Sequence, residues 1–418
     1  MKSKVSFKFL ALLPFIGGAM ALPMLGDLST VLETSSPLIE FSDNAWAFAT
    51  FESKCVYNSN IYASSHGSSD VMFGVTPGVQ IEIGKERMNR LTIVAKENFN
   101  FHTKHSELNS HLTSVNVNYV YDPLSRFQLT ANGDFYELAQ NDNTAREDGD
   151  LVKRFYFDAA VDASYRLTEK SVIDLGLRFS GAQFENFRYY YNDYRNYSVP
   201  ISWYYAITDK FSLGFYYSYT YTELDKSGRD RQNASNPAWQ GIVDPGYAQI
   251  HYGALSFRGS IASKLSLRGS IGVGYQDRSY VARPTGTNRT VHWNNTSLNF
   301  SLSADYQVSS KIRTTLTAGR RFDVGAQAQN ITNTFADLTA YYSLNPYWQV
   351  YARGGYSNQH FNNNFNGTDR LITLGGGVLH IVNKYVTAGL NYRYFRNASS
   401  RIEDYGIHQI ELMAAVKY

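Results

Sequence analysis

Cysteine, proline and long apolar runs are scarce in this chain. Its 418 residues include one cysteine, Cys55, and 10 prolines, so an internal disulfide framework is excluded. Beyond the first residues no stretch is long and apolar enough to be a membrane helix, and the mean hydropathy is -0.35. The formal net charge of +3 is too small to indicate nucleic acid or a strongly acidic partner. Disulfide scaffolds, helical membrane proteins and nucleic-acid-binding proteins are therefore disfavoured.

Aromatic residues, in contrast, are abundant. They make up 15% of the chain, with 33 Tyr and 25 Phe. Tyrosine is favoured in β-strands and at bilayer interfaces. A chain of this length would ordinarily form roughly two or three domains, but no linker separates such units. A single large membrane barrel explains both observations, because only alternate residues of its strands need to be apolar.

The amino terminus resembles an export signal. Three lysines precede the apolar run 9–16, and the small residues Ala19 and Ala21 follow it. The run is far shorter than the roughly 20 residues that a membrane anchor needs, so cleavage after Ala21 is expected. The predicted organisation is a signal peptide at 1–21, a periplasmic lead-in at 22–45 and an outer-membrane β-barrel at 46–418.

The last strand of the chain alternates between two faces. Its apolar face carries Ile410, Leu412, Ala414, Val416 and Tyr418, and its other face carries Glu411 and Lys417. One apolar face and one charged face suit a wall between lipid and water. The pattern resembles the closing strand of bacterial outer-membrane barrels. Outer-membrane lipid and, through the strand ending at Tyr418, the barrel assembly machinery are therefore the expected partners.

The same alternation recurs along the chain and is interrupted by two kinds of connection. Short turns are predicted at 84–89, 122–125, 168–170, 208–210, 263–264, 309–311, 345–346 and 383–384, and polar loops at 139–150, 225–246, 281–291 and 361–369. The predicted fold is all-β, a single transmembrane antiparallel up-and-down barrel of about 18 strands, with about 16 as the alternative. An even count places both termini in the periplasm of a Gram-negative cell. Glu97 breaks the apolar face of 91–101, which predicts either a β-bulge or a position near the membrane interface.

A further set of residues falls on the inward face of this alternation. The predicted pore-lining residues are Arg154, Asp158, Asp162, Arg166, Arg258, Arg268, Asp305, Arg313, Arg353 and Arg393, and the predicted sugar-stacking residues are Tyr156, Tyr216 and Tyr351. Mixed charges can simply hydrate the lumen and pair across strands. Alternatively, guanidinium groups and tyrosine rings can form a track for an anionic solute or a sugar polymer.

Two stretches carry a resemblance to a known family. Residues 57–62, Tyr-Asn-Ser-Asn-Ile-Tyr, precede a strand that contains Thr76-Pro77-Gly78. This combination resembles the opening of the β-barrel porin type 2 family. The resemblance implies an outer-membrane barrel with a transport role, since several members are linked to capsule or exopolysaccharide systems. It supplies no active-site motif.

Chemistry-bearing motifs are few. His102, His105, Glu107 and His111 are close in sequence, but their spacing matches no standard metal site, and surface histidines are the favoured interpretation. No cofactor, metal or enzymatic activity is therefore expected. The predicted function is passage of a hydrophilic solute, with exopolysaccharide as a candidate, across the outer membrane. The alternatives are a structural or adhesive barrel acting through its extracellular loops and, less favoured, an outer-membrane barrel hydrolase.

Overall fold

The computed structural model describes residues 37–84, 89–123, 126–142, 145–147, 149–236, 241–283, 286–362 and 367–418. The predicted signal peptide and residues 22–36 of the predicted lead-in lie outside this part of the chain. What is described is nearly all β-strand, with one short α-helix and one 3-10 turn. Among these residues no helix has the length and apolar character needed to cross a membrane.

Nineteen strands are present in the described residues. They are β1 (Ile39–Ser42), β2 (Ala45–Asn58), β3 (Asp70–Ile83), β4 (Arg90–His102), β5 (Ser110–Tyr121), β6 (Phe127–Ala139), β7 (Lys153–Arg166), β8 (Ser171–Phe184), β9 (Tyr194–Thr208), β10 (Phe211–Leu224), β11 (Gly241–Ala262), β12 (Leu265–Arg283), β13 (Arg289–Gln307), β14 (Ile312–Val324), β15 (Asn330–Asn345), β16 (Trp348–Asn362), β17 (Gly367–Ile381), β18 (Val386–Ser399) and β19 (Tyr405–Lys417). The 3-10 turn spans Ser106–Leu108, and the helix α1 spans Gly228–Ser235.

Strands β2 to β19 form a closed antiparallel barrel of eighteen strands. Each strand pairs with the next in sequence, and β19 returns to β2 in a ladder from Gln409–Asn58 to Lys417–Thr50. The short β1 pairs with β2, with Glu40 opposite Trp46, and is the one strand added to the barrel. The predicted all-β barrel of about 18 strands is confirmed, and both ends of the barrel's chain lie at the same rim.

The eight short connections fall between strand ends where the sequence predicted turns, at the rim that carries the two chain ends. Residues 85–88 and 124–125 of two of these connections lie outside the described part of the chain. Several begin with a residue whose side-chain oxygen accepts backbone N–H bonds from two and three residues further along. Thr168, Ser309, Asn345 and Asn383 all do so. A local side-chain acceptor of this kind satisfies backbone groups that a tight turn leaves unpaired. These four strand pairs are therefore joined by turns that their own sequences specify.

At the opposite rim the strands run further than predicted. Strand β11 starts at Gly241, inside the predicted loop 225–246, and β12 ends at Arg283, inside the predicted loop 281–291. β11 is 22 residues long, whereas about 9 to 11 residues suffice to cross a bilayer. Its outer part therefore projects beyond the membrane. In these outer parts the backbone pairing continues, but the alternation of apolar and polar residues stops. The sequence predicted loops there because the composition becomes polar.

The two faces of the wall differ in chemistry. On β7, Val161 is 41% exposed and Tyr165 is also exposed on the outer face, whereas Tyr156 and Ala160 on the other face are buried. Phe157 of β7 stacks on Phe179 of β8 with ring centroids 4.9 Å apart. Apolar side chains that are exposed and packed side by side across neighbouring strands form a surface suited to lipid.

Glu97 keeps its place on this outer face. The pairs Val75–Phe99 and Val79–Ala95 belong to one register of β3 and β4, so no bulge turns the side chain inward. Thr113 Oγ1 donates a hydrogen bond of 2.7 Å to Glu97, and His111 Nδ1 lies 3.2 Å from the same carboxylate. Of the two predicted explanations, the β-bulge is wrong, and the carboxylate has polar partners on its own face.

Truncation after Asn397 tests the closure. Removing β19 leaves β18 and β2 with unpaired backbone groups in hydrocarbon, each costing on the order of several kcal/mol. We expect the truncated chain to be absent from the outer-membrane fraction, measured by membrane fractionation beside the full-length chain. Normal amounts of folded, heat-modifiable truncated protein would contradict the closed topology.

Val161→Arg tests the assignment of faces. A charge at mid-depth on the lipid face should cost about 2 to 4 kcal/mol, measured as the free energy of unfolding in lipid vesicles. Val161→Leu is the control at the same position, and Asp162→Asn is the control on the opposite face of the strand. Equal losses for Val161→Arg and Asp162→Asn would show that the two faces are assigned wrongly.

Candidate functional site: the inner wall and its loop layer

The inner wall contains an ion pair that spans several strands. Arg258 on β11 lies 2.7 Å from Asp174 on β8, although β9 and β10 separate the two strands. The guanidinium group also lies over the ring of Tyr204, 4.0 Å from its centroid. Ser164 and Ser202 donate hydrogen bonds to the same Asp174 carboxylate. Contacts that reach over intervening strands require these side chains to point into the barrel.

Further predicted residues lie next to this bridge. Arg268 is directly opposite Arg258 in the ladder between β11 and β12. It is also within electrostatic range of Asp174 and Asp305. Asp305 pairs with Arg313 at 2.9 Å. Basic and acidic side chains therefore lie close together on this part of the wall.

A second group occupies β15 to β19. Arg353 pairs with Asp337 at 2.7 Å, and Arg393, which lies on the same row of the sheet across Gly375, donates to the side chain of Gln409. The Tyr351 hydroxyl donates to Asn391 at 3.2 Å. A Cβ on Gly377 would lie 2.6 Å from the Tyr351 ring and closer still to Asn391. The glycine therefore makes room for this inward tyrosine.

The predicted residues of β7 have different surroundings. Arg154 is only 1% exposed and bonds to Asp142 of the loop that precedes β7. Tyr156, also buried, stacks on Tyr136. These two side chains thus lie beneath a loop.

The other β7 residues and Tyr216 complete the predicted set. Asp158 is directly opposite Asp134 of β6, and Asp162 lies 3.4 Å from Arg178 of β8. Arg166 is exposed at the turn end of β7. Tyr216 packs against Tyr252 on the neighbouring strand, with ring centroids 5.7 Å apart. The side of the wall at β6 and β7 is therefore richer in acid than the side at β11 and β12.

The loops at the rim opposite the chain ends fold onto one another. We define the loop layer as the described residues of 59–69, 103–109, 140–152, 185–193, 225–236, 325–329 and 400–404. Asn192 N donates 2.8 Å to Ala326 O, which joins the β8–β9 loop to the β14–β15 loop. Val152, Phe184 and Tyr191 pack with Ala326 in one buried apolar cluster. Loops from well-separated parts of the wall therefore meet over this end of the lumen.

Tyr191 connects three loops of this layer. Its hydroxyl accepts a 2.7 Å bond from Arg146 N and donates to Arg146 O. Burial is the main cause that raises the pKa of Tyr191, and nearby Glu147 adds to it. The next residue, Asn192, donates to Asp225 O and to Asp230 in the first turn of α1. The hydrogen bonds and the apolar cluster thus stabilise the same loops.

The other side of the layer is joined in the same way. Asn141 donates to Tyr62 O, and Asn60 donates to Gly406 O. The Arg146 guanidinium group lies 5.2 Å from the ring centroid of Tyr405. The sequence predicted polar loops but not this layer. The signal it offered was the set of apolar and aromatic residues inside otherwise polar segments, such as Tyr191 and Ala326.

Comparison with known proteins gives structural neighbours only. No family model and no curated protein sequence matches the chain. The outer-membrane protein OpdK from Pseudomonas aeruginosa is similar over 89% of this chain and 99% of its own, at 9% identity and TM-score 0.45. The ferric citrate transporter FecA is similar over 88% and 78%, at 8% identity and TM-score 0.47. A bacterial polysaccharide outer membrane secretin is similar over 88% and 98%, at 11% identity and TM-score 0.34.

OpdK and the secretin are outer-membrane proteins by name, and the fold assignment of this chain rests on its own strand pairing. The chain forms a closed antiparallel β-barrel of eighteen strands. Because no family model matches the chain, the family suggested by residues 57–62 and 70–79 stays a prediction. In the structure those residues form the end of β2, the start of the loop that follows it, and most of β3.

Tyr191→Ala tests the loop layer. Removing this buried ring should cost about 3 to 5 kcal/mol locally, as for other buried aromatic residues, and should separate the loops that carry Arg146 and Arg188. We expect trypsin to cleave at these two arginines faster in the variant than in the native barrel. Tyr190→Ala is the control, because Tyr190 is 42% exposed. Equal cleavage in both variants would show that the apolar cluster does not hold the loops together.

Proposed function

We propose that this barrel passes a hydrophilic solute across the outer membrane, with both termini in the periplasm. The observation that carries the proposal is the solvent exposure of the ion pairs on the inner wall. The side chains of Arg258 and Asp174 remain 23% and 24% exposed, and those of Arg313 and Asp305 remain 51% and 35% exposed. Charges that stay in contact with solvent inside a closed wall indicate a water-filled lumen. Barrels of 16 to 18 strands leave an aqueous channel of this kind.

The inner wall favours a solute rich in hydroxyl or anionic groups. Arg268 and Arg393 supply guanidinium groups, while Tyr216 and Tyr351 supply ring faces on the same surface. Guanidinium groups bind carboxylate or phosphate groups through bidentate hydrogen bonds. Together with the resemblance to a family linked to exopolysaccharide systems, these residues support a sugar polymer as the candidate solute. Passage through the lumen requires no chemical step.

Charge pairing limits the selectivity that this wall can give. Arg258, Arg313 and Arg353 each have an aspartate partner, so much of the positive charge is neutralised locally. At about 0.15 M salt the Debye length is roughly 8 Å, which screens the remainder in a wide pore. We therefore expect weak anion selectivity that becomes stronger in dilute salt.

A second function is favoured by the outer surface of the loop layer. Tyr189 and Tyr190 are both exposed there and form an edge-to-face pair 5.0 Å apart, beside α1. Exposed aromatic residues on a rigid support are common in protein interfaces. A barrel that acts through these loops in adhesion would fold normally but conduct no ions.

Planar-bilayer recording of the refolded mature chain separates the two functions. Stepwise conductance is expected of the channel, whereas a correctly folded silent barrel contradicts it and favours the adhesive function. Reversal potentials across a KCl gradient then test the inner wall in a variant with Arg268, Arg313 and Arg353 changed to Gln. The change removes three positive charges and leaves Asp305 and Asp337 without these partners, so selectivity should move toward cations.

The matched control changes Lys170, Lys210 and Lys264 to Gln. These three lysines are exposed in short turns, so the same loss of charge occurs away from the inner wall. We expect the control to keep the native reversal potential at low salt. A native pore that is cation-selective, or equal shifts in both triple variants, would contradict the role of the inner arginines.

A further inference from the structure

Three side chains of two neighbouring loops form a hydrogen-bonded chain. Ser68 Oγ lies 2.9 Å from His105 Nε2, and His105 Nδ1 lies 3.1 Å from Glu107 Oε1. Ser68 belongs to the β2–β3 loop, while His105 and Glu107 belong to the β4–β5 loop. A hydroxyl on one ring nitrogen and a carboxylate on the other is the arrangement of a nucleophile, a general base and the group that orients the base.

Asp70 holds the two loops in this relation. It lies two residues after Ser68, is 1% exposed, and accepts hydrogen bonds from Thr103 Oγ1 at 2.7 Å and Lys104 N at 3.0 Å. It also accepts from His105 N at 3.3 Å. One buried carboxylate next to the serine thus fixes the backbone that carries the histidine. These hydrogen bonds to Asp70 therefore hold the two loops in the positions that bring Ser68 and His105 together.

The orientation of the His105 ring is set by its neighbours. The ring of Tyr62 packs against it edge to face, with centroids 5.6 Å apart, and the Tyr62 hydroxyl lies 3.4 Å from Nδ1. The 3-10 turn presents Glu107, whose pKa is held below its usual range by hydrogen bonds from its own backbone N–H and from His105. An ionised carboxylate at Nδ1 favours the tautomer that leaves Nε2 as the acceptor for the serine proton.

The surroundings allow access and offer an apolar contact. The side chains of His105 and Glu107 are 25% and 61% exposed, so a solute at the loop rim can reach them. Ile61 and Leu108 of these two loops form a small buried apolar cluster with Leu151 of the β6–β7 loop. The loop that carries Ser68 is tied to the loop layer through Tyr62 and Asn141. Tyr62 is only partly buried and packs on both this cluster and the His105 ring, so an acyl group held at the serine can contact the Tyr62 ring.

We propose that Ser68, His105 and Glu107 form a hydrolytic site for carboxylic esters with short acyl groups at the loop rim of the barrel. Ser68 Oγ forms a bond to the ester carbonyl carbon, and its proton passes to His105 Nε2. The carbon–oxygen bond of the ester then breaks, and His105 returns that proton to the departing alcohol. Water, deprotonated by the same nitrogen, releases the acid and restores Ser68. Glu107 is the positioning residue, since it contacts only the histidine.

This inference goes beyond passage through the lumen and does not depend on it. The sequence predicted surface histidines and no enzymatic activity, because His102, His105 and His111 match no standard spacing. The serine that completes the arrangement lies in another loop and is brought there by Asp70. Polysaccharides that carry ester substituents would be one substrate class for such a rim site.

Labelling with a fluorophosphonate probe tests the nucleophile in the refolded full-length barrel. An activated serine forms a bond to phosphorus and releases fluoride, which mass spectrometry locates on a peptide. We expect modification of Ser68 in the native chain and its loss in Ser68→Ala. Ser65→Ala is the control, since Ser65 is exposed in the same loop and contacts His66 at 3.1 Å. Absence of labelling, or labelling at Ser65 in place of Ser68, overturns the proposal.

Turnover of p-nitrophenyl acetate tests the other two groups. Loss of the general base in His105→Gln should lower kcat/KM by about 10² or more, and Glu107→Gln should lower it by about tenfold, as expected of an orienting group. Glu107→Asp keeps a carboxylate and should retain more activity than Glu107→Gln, which a purely structural role would not produce. Hydrolysis unchanged in His105→Gln overturns the proposal. Channel conductance is measured in parallel and should be unchanged in Ser68→Ala, so failure of this site is distinguishable from failure of the channel.

Discussion

Backbone hydrogen bonding in a lipid environment is the constraint on which the rest of this structure depends. Hydrocarbon offers no partner for an N–H or C=O group, so every strand needs two neighbours. The ladder between β19 and β2 meets that requirement for the last open edges. Closure with eighteen strands in turn separates an outer face, which must be apolar, from an inner face, which need not be. The polar residues that would be costly anywhere else in the membrane are thus confined to the inside.

On that inner face, charged residues are stabilised by each other and by water. Asp174 illustrates the balance, because it accepts from two serines on neighbouring strands and from Arg258 across the curve of the wall. Exposed ion pairs contribute about 0 to 1 kcal/mol, so these pairs add little to stability. The main effect of these ion pairs is to fix the positions of the arginine side chains. Each holds a long side chain out over the lumen and sets the local charge there.

Strands and turns could be predicted because each depends on residues close in sequence. Alternation over 155–166 alone predicts most of β7, and Asn345 specifies its turn through its own side chain. The loop layer could not be predicted, because its contacts join residues that are far apart in the chain, as Asn192 and Ala326 are. The Ser68–His105 contact escaped prediction for the same reason: it exists only because Asp70 ties two loops together. Glu97 was ambiguous because alternation alone cannot distinguish a β-bulge from a polar position on the outer face.

In the proposed channel, the loop layer and the inner wall act on a solute in different ways. The inner wall offers a continuous polar surface, whereas the layer joins loops through the Asn192–Ala326 hydrogen bond and the cluster around Tyr191. A buried hydrogen bond contributes about 0.5 to 1.5 kcal/mol, and a buried aromatic side chain contributes about 1.5 to 3 kcal/mol, so separating the loops costs several kcal/mol. A small solute that passes between the loops avoids this cost. Under the proposed function, a polymer has to offset this cost with contacts of its own, and the arginines and tyrosines of the inner wall are the proposed residues for them. In the proposed channel the loop layer would therefore discriminate by size, and the inner wall would discriminate by chemistry among the solutes that are admitted.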